Sequence, residues 1–162
     1  NLLSHEFYLS TAKDLLVLSV EIIEDAIGKR ITELDDCFDF TSQEVYQVAV
    51  KVAPFANAFR YIYEGYYIAA MTLRYINRDY FNRERFLKAA REIFELERAH
   101  GRIIKYSESF TVPTIKNALL YFASIHLIIS EDNNYYVPNQ KKVDDLLTKY
   151  AKELTETLIL NL

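Results

Sequence analysis

The chain has 162 residues, 51% of them hydrophobic, and only 3 Gly and 3 Pro. Such a chain can bury one sizeable, mainly helical core, and it is short for two independent domains. A single cysteine, Cys37, excludes an intramolecular disulfide, and the longest uncharged run, Asn117 to Ser130, is too short for a membrane-spanning helix.

The net charge of −4 is unevenly spread. Residues 1 to 46 carry 10 acids against 3 bases, residues 47 to 110 carry 7 against 11, and the remainder 6 against 5. Within the basic middle, eight Lys and Arg between Arg78 and Lys105 are interleaved with five acids, which reads as a solvated helix face laced with ion pairs. No cationic stretch followed by a small-residue cleavage site is seen, so no signal peptide is expected.

From His5 to Ile27 two adjacent apolar rows predict a helix: Leu15, Leu18, Ile22 and Ala26 form one, and Leu16, Val20, Ile23 and Ile27 the other. Gly28, Lys29 and Arg30 are a stop signal, since Gly turns left-handed freely and cations suit the negative helix end. Thr32 to Phe40 is an acidic connector. Thr41 and Glu44 then fit a capping box and predict a second helix. Pro54 lies inside its pattern and is expected to kink or restart it.

Beyond Pro54, the residues Phe55, Phe59, Ile62, Tyr66, Ala69 and Leu73 form a stripe flanked by Tyr61, Tyr63, Tyr67 and Tyr75. Aromatics at this spacing read as core. Asn77 to Asn82 is a loop, and Asn82 caps a helix carrying Phe86, Ala89, Ala90, Ile93, Phe94 and Leu96 to Ala99, which Gly101 ends. Thr111 is an N-cap with Pro113 in the first turn, and Ile115, Leu119, Phe122 and His126 repeat at helical spacing. Leu127-Ile128-Ile129, a polar Glu131-Asp132-Asn133-Asn134 turn and Tyr135-Tyr136-Val137 predict a hairpin. Asn139 caps a last helix with Val143, Leu146, Leu147, Tyr150, Leu154 and Leu158 inward.

These elements predict a mainly α fold: a helical bundle with a winged-helix-like C-terminal unit bearing one short β-hairpin. The chain reads as one domain over 1–162, with long aromatic-rich helices over 1–100 and the winged unit and C-terminal helix over 101–162. A winged helix is a common reader of DNA, but Val112 to His126 offers Lys116 as its single cation, and the turn of the hairpin is acidic. No nucleic-acid partner is therefore expected.

Little chemistry is signalled. His5, His100 and His126 have no second His or Cys at metal-ligand spacing, and His126 reads as a core or boundary histidine. Asp35, Asp36, Cys37 and Asp39 lack the spacing of a calcium loop. There is no glycine-rich phosphate loop and no Ser elbow. Catalytic residues, metals and cofactors are accordingly all expected to be absent, and no substrate-binding residue is identified.

Two blocks carry a likeness. The first is Pro54 to Leu73, with Tyr63-Glu64-Gly65-Tyr66 followed by Ala69-Ala70. The second is Tyr106-Ser107-Glu108-Ser109, Thr111, then Lys116-Asn117-Ala118, Phe122 and Ile125 to Ile128. Both resemble the C-terminal region of the glycerol-3-phosphate and dihydroxyacetone-phosphate acyltransferases, where a Leu-Glu-Ala-Tyr helix precedes a Glu-Ser…Lys-Asn-Ala helix. Phe7-Tyr8 before the first apolar helix is a further echo, although Asp14 stands where that family often has His.

The resemblance implies a parent enzyme that moves an acyl group from acyl-CoA or acyl-carrier protein to the sn-1 hydroxyl of glycerol 3-phosphate, giving lysophosphatidic acid at the cytoplasmic side of a membrane. Its motif residues here are Glu64, Tyr66, Glu108, Ser109, Lys116 and Asn117. The family's His-x4-Asp base is missing, since the corresponding residues after His5, His100 and His126 are Ser10, Lys105 and Glu131. The expectation is a non-catalytic C-terminal scaffold or regulatory domain whose partner is the catalytic domain of the same chain, with a membrane surface as a second partner. Glu64, Lys116 and Asn117 would form a polar cluster pinning the aromatic helix to the winged unit, or else be unrelated surface residues. The alternative function is a stand-alone winged-helix interaction module or transcriptional regulator.

Overall fold

The computed structural model describes residues 12–32, 41–76 and 80–159. The expected helix start at His5, the Phe7-Tyr8 pair, most of the acidic connector with its Asp35 to Asp39 cluster, and the first part of the Asn77 loop lie outside the described residues. In chain order the elements are α1 (Ala12–Ile27), α2 (Ser42–Ile76), α3 (Arg83–Ala99), α4 (Tyr106–Ser109), α5 (Val112–Ser124), β1 (Ile129–Glu131), β2 (Asn134–Tyr136) and α6 (Gln140–Ile159). The fold is mainly helical with one short hairpin, as the patterning predicts. The backbone divides into two compact units, one of Asn1–Ala58 with Thr157–Leu162 and one of Phe59–Glu156.

In the first unit α1 stops where expected. Gly28 takes φ +65° and donates its N–H to the Glu24 carbonyl at 2.8 Å. The Glu24 carboxylate then accepts from Ile31 N–H at 2.7 Å, tying down the chain just after the helix. Thr41 and Glu44 make the reciprocal capping box: Thr41 N–H donates to Glu44 Oε2 at 2.8 Å, and Glu44 N–H donates to Thr41 Oγ1 at 3.3 Å. Held by the Thr41 hydrogen bonds, the Glu44 carboxyl has a pKa below its usual range. Lys51 pairs with Asp25 at 2.6 Å. Pro54 neither ends nor restarts α2, which stays helical from Ser42 to Ile76.

The second unit is built on the later turns of α2. Every residue from Glu64 to Ala70 is buried, so this helix is enclosed on all sides. Ile62, Tyr66, Ile68, Ala69, Ala70 and Leu73 are fully inaccessible. Tyr66 meets Phe122 of α5 edge-on, with ring centroids 6.2 Å apart. Val143, Leu147, Tyr150 and Leu154 of α6 are also buried. Asn82 caps α3 by accepting from Arg85 N–H at 2.8 Å, and Thr111 caps α5 by accepting from Thr114 N–H at 3.2 Å.

Asp132 and Asn133 both take positive φ, at 47° and 64°, the two-residue turn that matches the twist of paired strands. Ile129 pairs with Tyr136, Ser130 with Tyr135 and Glu131 with Asn134. The first strand starts later than expected, because Leu127 and Ile128 are buried in the core rather than paired, and the second starts one residue earlier, at Asn134. Tyr135 also exchanges two backbone hydrogen bonds with Phe81, at 3.0 and 2.8 Å, fastening the hairpin to the segment before α3.

The expectation for His126 is corrected. Helix α5 ends at Ser124, and His126 is exposed with φ +55°. His126 N–H bonds to the Ala123 carbonyl, and Leu127 N–H bonds back to Phe122 at 2.8 Å, which is the Schellman arrangement with His in the position Gly usually takes. Buried Leu127 therefore follows Phe122 into the core, and exposed His126 marks the turn.

Candidate functional site

The carboxylate of Glu64 is the polar centre of the second unit, and it is fully buried. Four donors converge on it, two for each oxygen. Oε1 accepts from Arg60 Nε at 2.7 Å and from Ile104 N–H at 3.0 Å. Oε2 accepts from Lys105 N–H at 2.9 Å and from the Ser109 hydroxyl at 2.5 Å. Arg60 is itself only 2% exposed, and its Nη1 donates to the Leu154 carbonyl of α6 at 3.1 Å. One side chain thus ties α2 to the 104–109 segment, and through Arg60 to α6.

The next residue explains how the segment comes so close. A Cβ on Gly65 would lie 2.7 Å from Thr114 Cγ2 and 2.9 Å from the Ser109 carbonyl oxygen. The missing side chain lets the backbone around Ser109 settle onto α2 within reach of the neighbouring carboxylate. Thr114, buried here, also shares a 2.8 Å hydroxyl contact with the cap Thr111, so cap, close approach and carboxylate form one joint.

The six motif residues divide unequally. Glu64 and Ser109 are brought together and share a hydrogen bond, and Tyr66 lies fully buried two residues further along α2, its ring 5.7 Å from that of Tyr121. Glu108 is exposed, and Lys116 and Asn117 are half-buried on α5. Lys116 is not among the Glu64 donors, whose cation is Arg60. The sequence offered a sign of this: Arg60 precedes Glu64 by four residues, the spacing at which side chains on a helix meet.

A second buried carboxylate, Glu97, escaped the sequence reading. It is fully inaccessible, whereas Leu96, counted with the inward row, is 49% exposed. Glu97 accepts from Arg102 Nη2 at 2.7 Å and from Arg102 Nε, and the Tyr67 hydroxyl donates to it at 3.1 Å. Its signal was Gly101, which takes φ +70° and closes α3 in a Schellman motif, with Gly101 N–H on the Arg98 carbonyl and Arg102 N–H on the Glu97 carbonyl. That geometry places residues 97 and 102 side by side, as it does Phe122 and Leu127 at the end of α5.

Burial raises the Glu97 carboxyl, but the Arg102 and Tyr67 hydrogen bonds and the Arg102 charge outweigh it and hold the pKa below the usual range. Tyr67 is pushed up to about 12 by burial, and by the charge and hydrogen bond of Glu97.

Chemically, both carboxylates are occupied. A general base must reach the proton it takes, and each oxygen of Glu64 already receives two internal donors. The arrangement holds parts together. Among the described residues no group of His, Cys, Asp and Glu could hold a metal ion, and no helix is long and apolar enough to cross a membrane. Compared with protein-family models, curated proteins and solved structures, the chain matches none.

Proposed function

We propose that this chain is a non-catalytic helical scaffold domain belonging to a glycerol-3-phosphate 1-O-acyltransferase, with the catalytic domain of the same enzyme as its partner. The observation that carries the reading is the hydrogen bond from Ser109 to Glu64. It joins the two blocks on which the resemblance rests, Tyr63-Glu64-Gly65-Tyr66 and Glu108-Ser109 to Lys116-Asn117-Ala118, across 45 positions of sequence. Of those blocks, Glu64, Gly65 and Ser109, with Thr114 between them, hold α2, the 104–109 segment and α5 together, which suits a supporting role. Acyl transfer itself would lie with a His-x4-Asp pair elsewhere in the enzyme, and association with the cytoplasmic side of a membrane would come through that parent.

The test is the coding sequence upstream of Asn1. An open frame of several hundred codons containing His-x4-Asp is the expected result. An initiation codon directly before Asn1 would overturn it and leave the stand-alone winged-helix module, which the succession of α5 and the hairpin favours; that rival predicts duplex binding with a steep salt dependence. At the protein level, the 162-residue chain should show no turnover alone and should bind the separately purified catalytic domain. Failure to bind both that domain and liposomes would also defeat the proposal.

A further inference from the structure

α3 and the segment around α4 border an open cleft of about 460 Å³ lined by Arg91, Phe94, Glu95, Arg98, Ser107 and Phe110. Its volume lies within the range of small-molecule sites. The floor is aromatic: Phe94, which is buried, stacks on half-buried Phe110 with centroids 5.2 Å apart and planes 24° from parallel. Each ring carries a guanidinium. Arg91 sits over Phe110 at 5.8 Å, and Arg98 over Phe94 at 5.7 Å.

The charges do not cancel. Arg98 pairs with Glu95 at 2.8 Å, whereas Arg91 has no carboxylate partner among the described residues. The lining therefore holds two cations against one anion, in a chain whose net charge is −4. Arg91, held over a ring and without a carboxylate partner among the described residues, keeps its N–H groups for a ligand and is already oriented, while Arg98 gives one nitrogen to Glu95 and keeps the rest of its fork. Forked N–H donors fit the oxygens of phosphate, and the exposed Ser107 hydroxyl is a further donor at the same rim. A bare ion would leave the Phe94–Phe110 floor unused.

We propose that this cleft binds an organic phosphate monoester, with the phosphate on Arg91, Arg98 and Ser107 and the organic group on the Phe94–Phe110 pair. The proposal does not depend on the scaffold reading. The ester could be a free metabolite or a lipid headgroup, and the probes separate these. Phenyl phosphate titrated into the full 162-residue chain, followed by amide NMR, should shift signals around Arg91, Ser107 and Phe110. Arg91→Gln should weaken that binding about tenfold or more. Lys88→Gln removes an equal charge from the same helix outside the cleft and should leave it unchanged.

If the source is a headgroup, the chain should instead float with phosphatidylcholine vesicles containing phosphatidic acid, and Arg91→Gln should abolish flotation while Lys88→Gln does not. Both variants replace exposed side chains, and an otherwise unchanged amide spectrum verifies their fold. Binding to neither probe overturns the proposal, as does equal weakening by the two variants. Inorganic phosphate binding as tightly as phenyl phosphate overturns the assignment of the aromatic floor.

Discussion

Glu64 and Glu97 are both fully buried carboxylates, yet they are compensated from opposite directions. Among the described residues, the donors to Glu64 are fixed in place by the fold: Arg60 at 2% exposure, the backbone N–H groups of Ile104 and Lys105, and the buried Ser109 hydroxyl. The principal donor to Glu97 reaches in from the surface, since the Arg102 side chain is 51% exposed. Removing a carboxylate thus has different consequences at the two sites. Without Glu64, the Arg60 charge remains in the interior beside stranded N–H groups. Without Glu97, the Arg102 side chain can turn into water. The comparison teaches that burial of an acid says little about its importance until the fate of its partner is known.

The largest expected effect follows directly. Glu64→Ala should destabilise the fold by about 3–5 kcal/mol, the range for breaking a buried pair from one side. Arg60→Ala should cost less, because the remaining carboxylate keeps two backbone N–H donors and a hydroxyl. Urea titration followed by circular dichroism orders the variants, and Arg60→Ala costing as much as Glu64→Ala would break the asymmetry.

Gly65→Ala probes the same joint through shape. The new methyl would press on the Ser109 backbone as well as on Thr114, and backbone moves only with its neighbours. Its cost should lie at the upper end of the about 1–3 kcal/mol typical of overpacking. If the alanine variant unfolds at the same urea concentration as the parent, α2 and the 109 segment are not as close as described.

At the second carboxylate, Glu97→Ala should cost about 1–2 kcal/mol, because a half-exposed arginine is screened and loses little on release. A value matching Glu64→Ala would erase the distinction between the two sites.

The same contrast explains what could be read from the sequence. Caps and stops were legible because they depend on neighbours in the chain: Gly28, the Thr41 and Glu44 box, Asn82, Thr111 and the Asp132-Asn133 turn all fall where expected. The core stripe of α2 was legible from its spacing. That Glu64 is a buried hub was only half legible, because its partners Ile104, Lys105 and Ser109 act partly through backbone N–H groups that no side-chain pattern announces. Lys116 looked the better partner by type, and Arg60 holds the place by its position one turn earlier. Glu97 was missed because an acid next to exposed charges reads as surface, and only the Gly101 turn brings Arg102 back over it. His126 was misread in the converse way: its spacing continued the apolar row, but the helix had already ended.

The smallest expected effect separates the two sites by pH. Tyr67→Phe removes one neutral donor from Glu97 and should cost about 1 kcal/mol near neutrality. In the folded chain Tyr67 keeps its proton up to about 12, against 10.0 for the ordinary group, so between these values the unfolded chain binds fewer protons than the folded one. Stability must then fall as pH rises from about 10 to about 12, and Tyr67→Phe lacks that share of the loss. Tyr63 and Tyr121 are also raised by burial, which makes the gap between parent and variant the quantity to follow, and it should narrow across this window. A gap that stays constant would mean that the hydroxyl is neither buried nor held against Glu97. On the acid side the sign reverses. The depressed Glu97 carboxyl contributes stability that is present above the ordinary value of 4.5 and is lost as pH falls through its lower folded value. Glu97→Gln should flatten that limb of the curve while leaving the Glu64 joint in place, because the donors to Glu64 are separate from those to Glu97.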